Sequence, residues 1–479
     1  MVETQTQTTD EAHGGAAVRL WLYSSLLWLA LGPLIGLLQS AQFFAPGLME
    51  VIAPVGLAYS KLRIMHTNLV IYGWLGMAFI GGAHYLIPHL LHTRLYSESV
   101  GKGAAWVWNL ALVLNIALIW AGVPGNLFLS IQPFEYAEAP LLVDILITVA
   151  VVLVIYNLHR TFLTRRVEGL YITVWYYMTA LYETAIVYIV ISFVNPFLFS
   201  GVGSQVVQAW WLHNIVGIFI TPLGVGAIYF LIPRSSGSPL YSHRLGIVGF
   251  WALMIFYPFT GLHHFLQAPV PIWLNELAVT FSILLIIPVL AVTTTFLLTP
   301  GANWRRLFDS YPLRFALLGV IYYLATCIQG PVQASNTVNW YIHFTEWTAA
   351  HAHLALAGAF TATAMGLILH ILPLVTGREY DRRMASFVFW VMALGFPLFL
   401  VAFTGSGVTA ALGMNVLGQN VVQMIPAQEP WRVIRSLAGI LLTAAFWGFV
   451  LLTLRQARSV EPAEEPPEPR AMDTERGMR

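Results

Sequence analysis

Charge is what this sequence has least of. Of 479 residues, 23 are Lys or Arg and 22 are Asp or Glu, 9% in all, where a soluble domain carries about 25%. With 58% hydrophobic residues, so few charges cannot cover a water-facing surface of this size. That excludes a soluble globular enzyme and a disordered chain. The net charge of +1 leaves no basic face for nucleic acid. Cysteine is nearly missing too. Cys327 alone excludes a disulfide framework, a Cys-x-x-Cys metal site and covalent haem attachment through Cys-x-x-Cys-His. Nothing before residue 18 resembles a signal peptide, and no internal repeat stands out.

What is present is apolar sequence in long runs. A spanning helix needs about 20 mostly apolar residues, and the chain offers twelve, near 18–43, 64–88, 103–124, 139–160, 170–195, 206–233, 243–266, 272–298, 311–333, 345–375, 385–408 and 433–455. The expected class is an all-α integral membrane protein with twelve transmembrane helices. Residues 1–17 read as a polar tail, 18–456 as the helical domain and 457–479 as a disordered Pro- and Glu-rich tail. The basic residues orient the spans. With connecting segments numbered alternately, 19 of the 23 fall on one side and only Lys61, Arg63, Arg432 and Arg435 on the other. This places both termini in the cytoplasm, and an odd number of spans would scramble the split.

Titratable groups at membrane depth are costly and usually functional. Of 14 histidines, His84, His89, His92, His159, His243 and His370 lie near cytoplasmic helix ends and read as interfacial side chains. Six others form a pattern. His263 and His264 are adjacent near the end of span seven, about 100° apart on a helix, so two imidazoles can converge on one ion. His213 in span six could add a third. Three neutral imidazoles with an open position suit copper, zinc or iron; the plain alternative is a chance pair satisfied by backbone carbonyls. His351 and His353 in span ten face opposite sides of the helix, about 200° apart. They cannot share a metal but can each ligate one, and two flat cofactors flanking a helix suggest haem. His66, early in span two, is a candidate second ligand. In the charge-derived orientation all six fall in the outer half of the membrane.

The stretches Arg63-Ile-Met-His-Thr-Asn68, Trp210-Trp-Leu-His-Asn-Ile-Val-Gly217, Tyr257-Pro-Phe-Thr-Gly-Leu-His-His264, Gln329-Gly-Pro331 and His343-Phe-Thr-Glu-Trp-Thr-Ala-Ala-His-Ala-His353 resemble the catalytic subunit of cbb3-type cytochrome c oxidases, within the haem-copper oxidase superfamily. The resemblance implies a haem-copper oxidase subunit I fold. It implies His66 and His353 as axial ligands of a low-spin haem b, His351 as proximal ligand of a high-spin b-type haem, and copper on His213, His263 and His264. Tyr257 matches the family's active-site tyrosine, which is cross-linked to the ligand matching His213. Glu135 and Glu138 match an acidic pair beside a calcium, and Arg63 and Arg435 are expected to face haem propionates. The implied activity is reduction of oxygen to water in a bacterial inner membrane, with electrons from membrane-anchored cytochrome c-type subunits and protons from the cytoplasm.

The nitric oxide reductase large subunit shares this scaffold, but there the non-haem metal is iron with a glutamate ligand four residues after the first histidine. Here that position is Gly217, which with Tyr257 favours oxygen over NO and copper over iron. Four positions depart from the oxidase pattern. Gln329 replaces a glutamate near the proximal side of the active-site haem. Gly246 replaces a serine of the proton channel, in which Tyr229 and Tyr323 remain while Cys327 replaces a hydroxyl residue. Glu183 in span five is an unmatched carboxylate at membrane depth, either a proton relay or a partner of a tyrosine such as Tyr182. A twelve-helix secondary transporter is the competing class, and it gives no reason for six histidines in the outer half.

Overall fold

The computed structural model describes residues 15–456, and among them there is helix and no strand. Twelve helices are long and apolar enough to cross a membrane: α1 Gly15–Ala41, α2 Tyr59–Leu90, α3 Glu98–Ala121, α4 Leu141–Leu163, α5 Ile172–Leu198, α6 Gly201–Ser236, α7 His243–Phe265, α8 Ile272–Leu298, α9 Tyr311–Ala334, α10 Glu346–Thr376, α11 Arg382–Asn415 and α12 Val421–Arg455. All twelve expected spans are present. Residues 15–17, expected in a polar tail, form the first turn of α1. The tails expected over 1–14 and 457–479 lie outside the described residues.

The helix ends have local causes. Ser97, Ser242, Ser310 and Asp381 cap the starts of α3, α7, α9 and α11, accepting from backbone N–H groups of the first turn, as N-cap residues do. Gly237 and Gly377 close α6 and α10 in the left-handed conformation that glycine adopts without penalty. The largest departure is α12. It starts at Val421, not near 433, and runs through Pro426 and Pro430. Proline usually marks a helix start, so the apolar pattern alone begins this span too late.

Three helices sit at the centre. In α2, α6 and α10 the most apolar 18-residue windows are 94%, 94% and 89% buried, against 33–50% for the other nine. These three carry His66, His213, His351 and His353. Each has a π-helical stretch one to three residues after its histidine: Leu69–Gly76, Ile215–Ile220 and Leu354–Phe360. An extra residue per turn rotates the helix face, and such stretches favour functional sites. Polar contacts tie helix ends that the charge pattern assigns to the same side. Arg19 of α1 donates to the carbonyl of Val375 at the inner end of α10, 2.9 Å. Lys61 at the outer end of α2 donates to the carbonyl of Trp120 at the outer end of α3, 2.8 Å.

Not every histidine near an inner end is interfacial. His84 is fully buried, stacked on Trp21 with its Nδ1 2.8 Å from the Ile80 carbonyl, and His370 is 9% exposed. The central position of α2 and α10, which hydropathy does not reveal, accounts for both.

Candidate metal centre

One cavity of about 770 Å³ contains all six outer-half histidines, together with Arg63, Glu135, Tyr257, Tyr323, Cys327 and Arg435. That volume lies in the upper range for cofactor and ligand sites. α10 lines it with His351 and His353, which face different neighbours.

On one side, the rings of His66 and His353 are 16° from parallel with centres 6.2 Å apart. Two imidazoles on opposite sides of one iron, at about 2.0 Å per bond, bring their ring centres about 6 Å apart. Each Nδ1 is tied back to its scaffold, His66 to the Gly32 carbonyl and His353 to the Ala349 carbonyl, both at 2.8 Å. Both Nε2 atoms are left to the cavity, the arrangement that fixes a ligating tautomer. Phe403 stacks on His353 at 4.9 Å. These residues fit a six-coordinate haem.

On the other side, His351 directs Nδ1 at Oε1 of Gln329, 3.2 Å away. His351 therefore leans on α9 while His353 faces Phe399 and Phe403 of α11, as a two-residue spacing on a regular helix requires. His213, His263 and His264 offer ring nitrogens that all lie within 4.8 Å of one another, the only such trio of potential ligands among the described residues. Nδ1 of His213 and Nε2 of His264 are 3.2 Å apart, and a tetrahedral centre with bonds of about 2.0 Å sets its ligand atoms about 3.3 Å apart. Nδ1 of His263 pairs with the Ser282 hydroxyl of α8 at 2.7 Å. The donor set fits copper, zinc or iron.

The approach that makes the trio depends on α7 losing regular geometry. Tyr257–Phe259 and Gly261–Phe265 are 3₁₀ turns, not the α-turns assumed from the sequence. Pro258 breaks the ladder, and Gly261 lets the helix end touch α6: a Cβ there would lie 2.6 Å from the Ala209 carbonyl oxygen and 2.7 Å from Cα of Trp210. Tyr257 then stacks on His213, ring centres 4.6 Å apart. Its ring occupies the place of a side chain at Gly217, where a Cβ would be 1.5 Å from Cε1.

Arg63 forms an ion pair with Glu135. Arg435 is 3% exposed and pairs with Glu346 at 2.7 Å, with Arg432 on the same carboxylate at 3.1 Å. Sequence reading missed Glu346 and Ser282; the only signal for Glu346 was an acid at the outer start of span ten. Arg432 and Arg435, counted as loop residues, are in the fourth and fifth turns of α12. Glu138 is buried and accepts from Asn68 at 3.1 Å. Burial pushes its carboxyl above the usual range, opposed by hydrogen bonds from backbone N–H groups and Asn68. Glu138 does not line the cavity, and neither do Tyr229 and Glu183. The Tyr182 hydroxyl pairs with His159 at 2.7 Å and not with Glu183, one of whose oxygens is buried with no partner among the described residues.

The family described as Cytochrome C and Quinol oxidase polypeptide I matches residues 16–441. The chain is 27% identical over 471 residues to the Cbb3-type cytochrome c oxidase subunit CcoN1 of Stutzerimonas stutzeri, spanning 95% of this chain and 98% of that protein. It is 27% identical over 392 residues to a nitric oxide reductase chain of the same organism, spanning 78% and 80%. A solved heme-copper terminal oxidase superposes with a TM-score of 0.71 at 16% identity, covering 94% of this chain and 86% of that one.

Proposed function

The chain belongs to the haem-copper oxidase subunit I family, and from that premise we propose that it is the catalytic subunit of a bacterial terminal oxidase that reduces oxygen to water in the membrane. His66 and His353 hold the low-spin haem b, His351 the high-spin haem, and His213, His263 and His264 the copper. Bound there, the two haems and the copper supply electron storage and a binding place for the gas. The protein's own groups do the rest. Gln329 accepts from Nδ1 of His351, which keeps Nε2 free as a ligand. α10 would present the two haem ligands to different neighbours, His351 toward Gln329 and His353 toward Phe403. Arg63 and Arg435 offer guanidinium groups to propionates. Tyr257, stacked on His213, presents a phenol proton at the reacting centre. Glu135 and Glu138 would contribute carboxylate oxygens to a calcium site. Electrons enter from a membrane-anchored cytochrome c-type subunit, and protons enter from the cytoplasm.

The observation that carries oxygen over nitric oxide is the Tyr257 ring lying on Gly217. A carboxylate at 217, needed to favour iron in the third site, and this tyrosine position exclude each other. The test is metal analysis of the purified complex with turnover of each gas. Two haem irons and one copper in this subunit, with faster oxygen than NO consumption, are expected. A third iron in place of copper, with NO consumed faster, overturns the reading.

A further inference from the structure

Glu346 has no part in the chemistry above, yet it gathers charge at the rim of the cavity. It is the first residue of α10, and its carboxylate takes two arginines of α12. Nη1 of Arg435 lies 2.7 Å from Oε2, and Nε of Arg432 lies 3.1 Å from Oε1. No second carboxylate pairs with either guanidinium among the described residues, so the set carries one net positive charge. The side chains of Arg435, Arg432 and Glu346 are 3%, 14% and 17% exposed. Salt screens charges this enclosed far less than surface charges.

The set is built against a haem ligand. The Arg435 guanidinium lies over the Phe403 ring of α11, 4.6 Å from its centre. Phe403 in turn stacks on His353, ring centres 4.9 Å apart at 28°. Both guanidinium groups also lie over the Phe43 ring, Arg432 at 4.9 Å and Arg435 at 5.1 Å. Nη2 of Arg435 donates to the Ser40 hydroxyl at 3.3 Å. Contacts therefore run without a gap from Glu346 through Arg435 and Phe403 to His353. All four of these line the cavity, and Arg432 stands behind them, outside it. A planar guanidinium held by a carboxylate and stacked on aromatic faces keeps its charge in one place.

We propose that Glu346 is a positioning residue that fixes Arg435 over Phe403 beside His353, and that the summed charge of Glu346, Arg432 and Arg435 sets the reduction potential of the iron His353 holds. This rests on the reading above only in that a six-coordinate haem occupies the site of His66 and His353. Reduction adds one electron to the iron and lowers the charge of the site by one. A nearby cation favours the reduced form, and a nearby anion opposes it. Groups behind the ligands tune a metal in this way. Glu346 thus acts in two opposed senses. Its charge holds the potential down, while its grip on Arg435 keeps a cation close and holds the potential up. The sign of the change on removing its charge separates the two.

The test is a spectroelectrochemical titration of the low-spin haem in the purified, haem- and copper-loaded complex. Glu346→Gln keeps the shape and one acceptor oxygen and removes the charge. Its equilibrium is expected to shift at least threefold toward the reduced haem, about 28 mV upward for a one-electron couple. Arg432→Gln removes charge of the other sign from outside the cavity. It is expected to shift the equilibrium at least twofold toward the oxidised haem, about 18 mV downward. The six-coordinate spectrum and haem content should match wild type in both. A general loosening of the contact between α10 and α12 would move both variants the same way, so opposite shifts report charge. A missing shift in either variant, or shifts of one sign, overturn the proposal. If Glu346→Gln does not assemble, Arg432→Gln decides alone, and an unlowered potential there overturns it. A wild-type complex without a six-coordinate haem overturns the haem reading and this proposal with it, and the visible spectrum shows that before any titration.

Discussion

Gly217 and Tyr257 show how one missing side chain can set the chemistry of a site. The sequence shows that no carboxylate stands at 217. It does not show that the ring of Tyr257 takes the space, because that contact joins α6 to a 3₁₀ turn of α7 and depends on Pro258 and Gly261. With a Cβ position 1.5 Å from the ring, even Gly217→Ala must move Tyr257. Oxygen turnover more than a hundredfold lower and less than half the copper are expected, with both haems retained in the visible spectrum. Gln329 is a gentler case. It cannot ionise, yet it supplies the acceptor for Nδ1 of His351. Gln329→Leu removes that acceptor, and changes of this kind cost 10–100-fold in metal affinity or activity. The iron–histidine stretch of the reduced high-spin haem should fall in Gln329→Leu. It should rise in Gln329→Glu, since a charged acceptor makes a hydrogen bond roughly twice as strong.

At the scale of elements, the spacing of His351 and His353 was legible because the helix carrying both, Glu346–His353, is regular. The histidine pair of α7 was legible as residues but not as geometry. Adjacent positions on 3₁₀ turns are about 120° apart, and no periodicity in so short a stretch announces that. The start of α12 was hidden by its prolines, which concealed a tie between helices. Glu346 begins α10, and Arg435 lies inside α12, 3% exposed, against Phe403 at 4.6 Å. Removing one partner of a buried pair costs about 3–5 kcal/mol, whereas replacing both by apolar residues is often nearly neutral. Glu346→Gln should therefore lower the thermal unfolding midpoint more than the triple change of Glu346, Arg432 and Arg435 to Leu, which removes the whole charged set. Equal midpoints would show that this cluster does not hold α10 to α12.

For the whole molecule, twelve spans and their direction follow from hydropathy and from where 23 basic residues fall. Which three spans stand at the centre does not. Lipid is as apolar as a packed interior, so a lipid-facing helix and an enclosed one read alike; the histidines do not separate them either, since α7, which is not enclosed, carries His263 and His264. The enclosed trio lines, with neighbouring helices, a cavity of about 770 Å³. At about 24 cal/mol per Å³ of cavity, leaving even a fifth of that volume unfilled would cost roughly 4 kcal/mol, a large share of the about 5–15 kcal/mol by which proteins are stable. Cofactor binding is then part of what stabilises this fold, by mass action on the folded state. In membranes of haem-starved cells the chain should accumulate at a small fraction of its normal level. What remains should be cut by protease at outer loops between α5 and α6 and between α9 and α10, sites protected when haem is supplied. Equal accumulation and equal protection with and without haem would show that the twelve helices hold the cavity open on their own.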